Sequence, residues 1–493
     1  MSTDATAPRG HVGTPVPRRW FLEHAGLGFG GLAASCLLAA DGAAEARSNP
    51  LAARQPSLPA TARSVIFLFM HGGPSHLDTF DPKPLLQDLD GQPVPESFRN
   101  RDFQFTKMDR VPLLGSPRRF TRHGRSGLPV SDLFANVAKQ ADELAVIRSC
   151  HHDGFTHITG QNWMNTGWAQ VGRPSLGSWI VYGLGSESEN LPAYVVMLDG
   201  GIKSGSPAYG SGFLPAMYQG TVLRSEGPPI LNIRRREPAD PARQQLLMDK
   251  LAWFNRQHIA ARPGDSDLEA RMTAYELAFR MQASAPEVAD ISSETAATKE
   301  LYGLGDAVTR PYGKQCLLAR RMVERGVRFI QIYSGCGNNG ASAGWDGHNQ
   351  IDYNHETMAA QVDRPIAGLL QDLKQRGLLD QTLVVWGGDF GRTPFTDGAE
   401  SGARNNAGRD HNPYGFTVWM AGGGVRGGQV VGSTDEIGLN AVEDRVHVHD
   451  LHATILTLLG LDHVQLTYPF QGRDFRLTDV GGQNNLASRL ISA

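Results

Sequence analysis

The strongest constraint on this chain is residues 382–413, which begin TLVVWGGDFGRTP and end GRDHNP. Residues 383–386 (LVVW) form a short apolar, β-branched run, the pattern of a buried strand. Gly387 and Gly388 are expected to stop it, and Asp389 follows at once. Open α/β sheets gather their chemistry just beyond the carboxyl ends of their strands. Asp410 and His411 come 21 and 22 residues after Asp389, WDGH stands at 345–348 and HVHD at 447–450. Four parts of the chain thus offer carboxylate or imidazole beside Gly-rich turns or apolar runs, as in a zinc or hard-cation hydrolase site.

The rest of the chain alternates strand and helix. Expected strands are 64–70 (SVIFLFM), 144–147, 194–198, 327–333, 416–420 and 430–431. Expected helices are 131–140, 175–182, 312–324, 355–374 with a bend at Pro365, and 452–459 capped by Asp450. Residues 88–129 read as an irregular excursion carrying Arg118, Arg119, Arg122 and Arg125, either a solvated face or a draw for an anionic polymer. Residues 201–300, with a basic triplet at 234–236 and helical periodicity near 240–260 and 268–284, read as a helical insertion over one sheet edge or a lid. This alternation predicts an α/β fold, a largely parallel sheet with helices on both faces. GxGxxG after the first strand, GxxxxGK[ST], HExxH and GxSxG in context are all missing, which removes several common enzyme classes.

A formal charge of −3 over 493 residues implies no nucleic-acid partner. The N-terminus carries Arg18-Arg19-Trp20-Phe21-Leu22 before an apolar run at 25–40, the pattern of a twin-arginine export signal. Ala44-Glu45-Ala46 would serve as the cleavage site, giving a signal at 1–46, a linker at 47–60 and a domain at 61–493. The mature chain would then work in the periplasm or outside the cell after passing the twin-arginine machinery; an uncleaved signal would leave an N-terminal membrane anchor. The cysteines past the signal, Cys150, Cys316 and Cys336, leave open one bridge between Cys316 and Cys336 or buried free thiols.

Two further segments concentrate candidate side chains. The first strand runs into HGGPSHLDTFDP, offering His71, His76 and Asp78, or else a tight turn tucking polar groups under Phe80. The strand at 144–147 runs into RSCHHDGFTH, offering His151, His152, Asp153, Thr156 and His157.

The segments MHGGPSHLDTFDPKP, WDGHN, GGDFGRTP, GRDHNP and DLHATILTLLGLD resemble the bacterial DUF1501 family, over residues 65–474. That family is grouped with the alkaline-phosphatase-like superfamily, which holds sulfatases, phosphatases and phosphate mutases. The resemblance implies a metal-centred site at the carboxyl ends of a mixed sheet. It implies metal-ligand roles for Asp389, His411, Asp346 and His348 first, then His71 and Asp78. This chain departs from the superfamily pattern in four places, one being Ala453 where the closing helix would carry proline. One residue, not three, separates Asp346 from His348; Phe390 stands where a histidine would follow Asp389; and no CxPSR or SxPSR nucleophile segment is present. Ser149 and Thr156 are the hydroxyls in the corresponding part of the chain, and a directly attacking water is the alternative to them.

The expected chemistry follows from those residues. One or two divalent ions (zinc, manganese, iron or calcium) would hold a phosphate or sulfate ester oxygen. Arg392 would grip another ester oxygen, or else form a structural ion pair. His152 or His157 would protonate the leaving oxygen. The leading expectation is an exported metal-dependent hydrolase acting on a sulfated or phosphorylated small molecule or carbohydrate. A non-catalytic surface binding or assembly protein and a phosphate transferase or isomerase are the alternatives.

Overall fold

The computed structural model describes residues 50–99, 103, 106–198, 200–224, 241–260, 266–335, 344–397, 406–479, 481–482 and 486–491. The expected export signal, Cys336 and the triplet at 234–236 lie outside the described residues. Among the described residues no helix is long and apolar enough to cross a membrane.

Residues 53–493 form one compact unit. At its centre lies a nine-stranded sheet. Its strands are β1 (Ser64–Met70), β2 (Leu144–His151), β3 (Tyr194–Met197), β4 (Thr221–Leu223), β5 (Phe329–Ser334), β6 (Thr382–Gly388), β7 (Phe416–Ala421), β8 (Gln429–Val431) and β9 (Val446–His447). They lie in the order β8-β2-β7-β6-β1-β5-β3-β4, with β9 also on β2. All pairings are parallel except those of β7, which runs antiparallel between β2 and β6. β1 is buried at every residue because its neighbours β5 and β6 are parallel and both its faces are covered. Burying each of its large apolar side chains contributes roughly 1.5–3 kcal/mol relative to exposure.

Helices cover both faces. Ile66, Leu68 and Met70 of β1 pack in one core with Leu317 of α5 (Arg310–Val323) and Ile366 of α6 (Ile351–Gln375). The other helices of eight residues or more among the described residues are α1 (His157–Thr166), α2 (Leu176–Leu184), α3 (Pro241–Ala260), α4 (Ser266–Ala289) and α7 (Val448–Leu458). α2 lies on the opposite face, where a Cβ on its Gly177 would meet the Tyr194 ring at 2.6 Å. α6 runs unbroken past Pro365.

Several local expectations need correction. β6 does not stop at the glycine pair: Gly387 and Gly388 pair with Phe69 and Met70, so the ladder carries them to the site. Residues 131–140 hold the end of a β-hairpin strand and two 3-10 segments rather than an α-helix. The excursion at 88–129 contains that hairpin, Phe120–His123 with Leu128–Ser131. α7 is capped by His447, and Asp450 is the third helical residue whose carboxylate reaches back to the His447 N–H. The insertion at 201–300 is not all helical, since its Thr221–Leu223 extends the main sheet. Residues 54–60 of the expected linker lie along the domain, with backbone bonds from Arg54 to Leu184 (2.8 Å) and from Leu58 to Gly460 (2.9 Å).

Candidate metal centre

β1, β2, β5 and β6 point the same way, so their carboxyl ends share one edge of the sheet. β7 enters from that same edge because it is antiparallel. The segment just before it is a hairpin, Gly391–Thr396 with Arg409–Asn412, that places His411 beside Arg392 in register. His71 and Gly72 leave β1, Asp389 leaves β6, and the loop after β5 returns with Asp346 and His348. The Trp345 N–H donates to the His71 carbonyl at 2.9 Å, tying two of these loops together. Gly72 has φ +107° and a Cβ there would stand 2.6 Å from the Asp346 nitrogen, so only glycine permits this approach. Gly160 of α1 plays the same part against β6: its Cβ would meet the Phe390 ring at 2.8 Å and the Asp389 carbonyl at 3.0 Å.

Four side chains converge here: His157, Asp346, His348 and His411, each offering a ligand atom within 4.8 Å of the others. The Nδ1 of every ring is tied to a fixed acceptor. His411 Nδ1 donates to the Phe155 carbonyl (2.8 Å), His348 Nδ1 to Asp397 (2.6 Å) and His157 Nδ1 to Asp389 (2.6 Å). A neutral imidazole has one N–H and one lone pair, so each of these bonds turns the Nε2 lone pair inward. The Nε2 atoms of His348 and His411 lie 2.9 Å apart. Asp346 faces all three rings, at 3.0 Å from His157, 2.9 Å from His348 and 3.5 Å from His411. The His157 contact lacks the alignment of a hydrogen bond, and its Nε2 is a buried polar atom without a hydrogen-bond partner. Three oriented imidazoles and one carboxylate fit a divalent cation, with Asp397 and Asp389 as the carboxylates that fix ligand histidines.

The electrostatics follow from the crowding. Burial alone would raise the Asp346 carboxyl, yet His157, His348, His411 and Arg392 hold it far below the usual carboxylate range. Burial works to lower His348, but its bonds to Asp346 and Asp397 outweigh that and raise it to about 9. Burial pushes His411 down to about 3. At neutral pH a proton on His348 Nε2 therefore bridges His411 and Asp346, where a cation would otherwise bind.

The remaining candidates take other places. Arg392 is fully buried and donates to the Gly72, Gly73 and Arg409 carbonyls and to Asp346 (2.8 Å), so four of its five N–H groups clamp the loops. Asp78 is not in the cluster; its oxygens accept from Arg409 (3.0 Å), Ser75 (2.5 Å) and Ser116 (2.6 Å). Burial would raise its carboxyl, but Arg409 and these partners hold it at about 2. His152 has both ring nitrogens engaged by main chain, Nε2 donating to the Asp389 carbonyl (2.7 Å) and Nδ1 accepting from Gly154 (2.9 Å), so it has no nitrogen left for proton transfer. Thr156 caps α1 in a reciprocal bond pair with Thr159, and the Ser149 hydroxyl donates to the Asp444 carbonyl (2.6 Å). His71 Nε2 accepts from the Lys203 backbone N–H (3.2 Å). Its hydrogen therefore sits on Nδ1, which makes it a donor rather than a ligand. His76 donates to the Gly438 carbonyl (2.8 Å). Asp389 orients His157 with one oxygen rather than standing in the four-residue cluster. Cys150 and Cys316 are buried free thiols.

Sequence reasoning missed Asp397 and Gln161. Asp397 follows a strand end, as Asp389 does, and that position was its only signal. Gln161 lies one turn along α1 from His157 and donates to Asp389 at 3.1 Å.

Among solved structures the chain is similar to the lipoteichoic acid synthase LtaP from Listeria monocytogenes, at 9% identity and TM-score 0.36 over 89% of this chain and 79% of that one. It is similar to the PsFucS1 sulfatase from Pseudoalteromonas sp., at 13% identity and TM-score 0.36 over 83% and 68%. It is also similar to alkaline phosphatase from the Antarctic bacterium TAB5, at 12% identity and TM-score 0.32 over 81% and 98%. No curated protein matches it. The family model described as protein of unknown function (DUF1501) matches residues 62–488, and the chain belongs to that family.

Proposed function

We propose that this chain is an exported, metal-dependent hydrolase of phosphate or sulfate esters. The observation that carries the metal half is the convergence of three Nε2 atoms and Asp346, each ring held from behind by a second acceptor. A nitrogen-rich set suits zinc, manganese or iron, whereas calcium takes six to eight oxygens, so calcium is the least suited of the expected ions. A divalent ion bound there would polarise an ester oxygen and acidify a water. The ester class comes from the sequence resemblance, and export and the periplasmic setting from the twin-arginine pattern.

The protein's own contributions are orientation and shielding. Asp397, Asp389 and the Phe155 carbonyl lock the rings, while Phe390 covers them, its ring centroid 4.3 Å from His411 and 5.2 Å from His157. In the overall reaction the water oxygen bonds to phosphorus or sulfur, the bond to the ester oxygen breaks, and the alcohol leaves with a proton. The hydroxyls of Thr156 and Ser149 are both committed elsewhere, which favours a water over a side-chain nucleophile. The same observation supports a second reading, a surface protein that keeps the metal site for binding alone.

The test is to load the purified chain with zinc, manganese or iron and assay 4-nitrophenyl phosphate, 4-nitrophenyl sulfate and sulfated oligosaccharides. Turnover lost in Asp346→Asn supports the hydrolase. Bound metal with no turnover on any ester favours the binding protein.

A further inference from the structure

Two buried polar atoms beside the metal centre have no hydrogen-bond partner among the described residues: His71 Nδ1 and Asp389 Oδ1. His71 is 2% exposed and Asp389 0%. An unsatisfied buried donor or acceptor costs about 1–3 kcal/mol, so two together call for an occupant. The chemistry of each atom is fixed by its neighbours. His71 Nε2 accepts the Lys203 N–H, which leaves the hydrogen on Nδ1 as a donor. Asp389 Oδ2 is taken by His157 and Gln161, which leaves Oδ1 as an acceptor. Both flank His157: its Nδ1 lies 2.6 Å from Asp389, and its ring stacks 6.3 Å from that of His71. His157 in turn reaches Asp346, so the donor and the acceptor lie beside the ligand cluster.

A lone donor and a lone acceptor that both neighbour His157, with the Asp389 charge acting on the His71 ring, are complementary to a molecule that both accepts and donates, and water is the smallest such molecule. We propose that His71 Nδ1–H and Asp389 Oδ1 together hold the water that attacks the ester. His71 is then a catalytic residue through its hydrogen bond, not through the metal. This inference rests on the hydrolase reading. It explains why a histidine, which can accept at one nitrogen and donate at the other, follows β1.

The test joins a crystal structure of the zinc-loaded chain to kinetics of His71→Ala and His71→Gln. The structure should show one ordered oxygen within ~3.2 Å of both atoms. His71 bound to the ion, or no oxygen between the two atoms, overturns the proposal. His71→Ala should keep its zinc and KM but lose about 100-fold in kcat. His71→Gln, whose amide also accepts and donates, should recover much of that loss. An unchanged kcat in His71→Ala would mean that the water is only structural, and zinc lost from that variant would make His71 a ligand; either overturns the proposal. If the wild type turns over no ester, the hydrolase reading falls by itself, while the crystal structure still decides whether the pair holds a water.

Discussion

Two groups of histidines near α1 differ in which nitrogen is tied. In the first, His157, His348 and His411 are each held at Nδ1, and their Nε2 atoms meet. In the second, His152, His449 and His452 are each held at Nε2, by the carbonyls of Asp389 (2.7 Å), Gly167 (2.8 Å) and Met164 (2.9 Å). Their neighbour His447 uses Nδ1 to accept the His449 N–H and cap α7. Burial holds His152 and His447 at about 4 and His452 at about 3, and the bonds of His449 and His452 to the Gly167 and Met164 carbonyls brace α7 against the end of α1. The first group is anchored so as to leave one point of convergence; the second is spent on main chain. The lesson is that the second partner of an imidazole, rather than the number of imidazoles, decides between ligand and brace.

Breaking this contrast takes ligand variants against brace variants. The largest expected effect is on metal affinity in His411→Ala and Asp346→Asn, a loss of more than about 100-fold by competition with a chromophoric chelator, with His449→Ala unchanged. Asp397→Ala removes only the acceptor behind His348 and should cost about 10- to 100-fold, with the fold intact by circular dichroism.

The pH dependence sharpens the contrast. His348 is raised to about 9, so at neutral pH it is protonated and the ion must displace that proton. Burial works to lower His157, but its contacts with Asp346 and Asp389 raise it as well, so zinc affinity should rise with pH by at least about tenfold per unit and level off near the His348 value. A flat profile would mean that His348 is not a ligand. Asp78→Ala should leave zinc affinity unchanged but cost about 3–5 kcal/mol in urea unfolding, because it strands the buried Arg409. Smallest is His452→Phe, which should cost about 1–3 kcal/mol through the unpaired Met164 carbonyl and leave metal binding alone.

Much of this was legible in the sequence because apolar periodicity reports burial directly. β1 was read to the residue, and WDGH, GGDF and GRDHNP do converge at one sheet edge. HVHD does not, because β9 pairs with β2 and the motif's two histidines pack on Trp163 of α1, with His449 bonded to the Gly167 carbonyl. The hairpin at Gly391–Thr396 was hidden because it is short and polar, with none of the alternation that marks a half-buried strand. The expectations that Arg392 grips a substrate oxygen and that Asp78 holds the ion arise because the sequence shows a charge but not its partners. Carbonyls from Gly72, Gly73 and Arg409 decide the first, and Arg409 the second. The ring tautomers depend on carbonyls and carboxylates 49 to 256 residues away, so no local pattern encodes them.

The most direct test is metal analysis of the purified chain after zinc reconstitution and desalting, beside His157→Ala, His348→Ala, His411→Ala and His449→Ala. The account predicts one tightly held ion per chain in the wild type and in His449→Ala, and its loss in the other three. No bound ion in the wild type, or an ion that survives removal of His411, would contradict it.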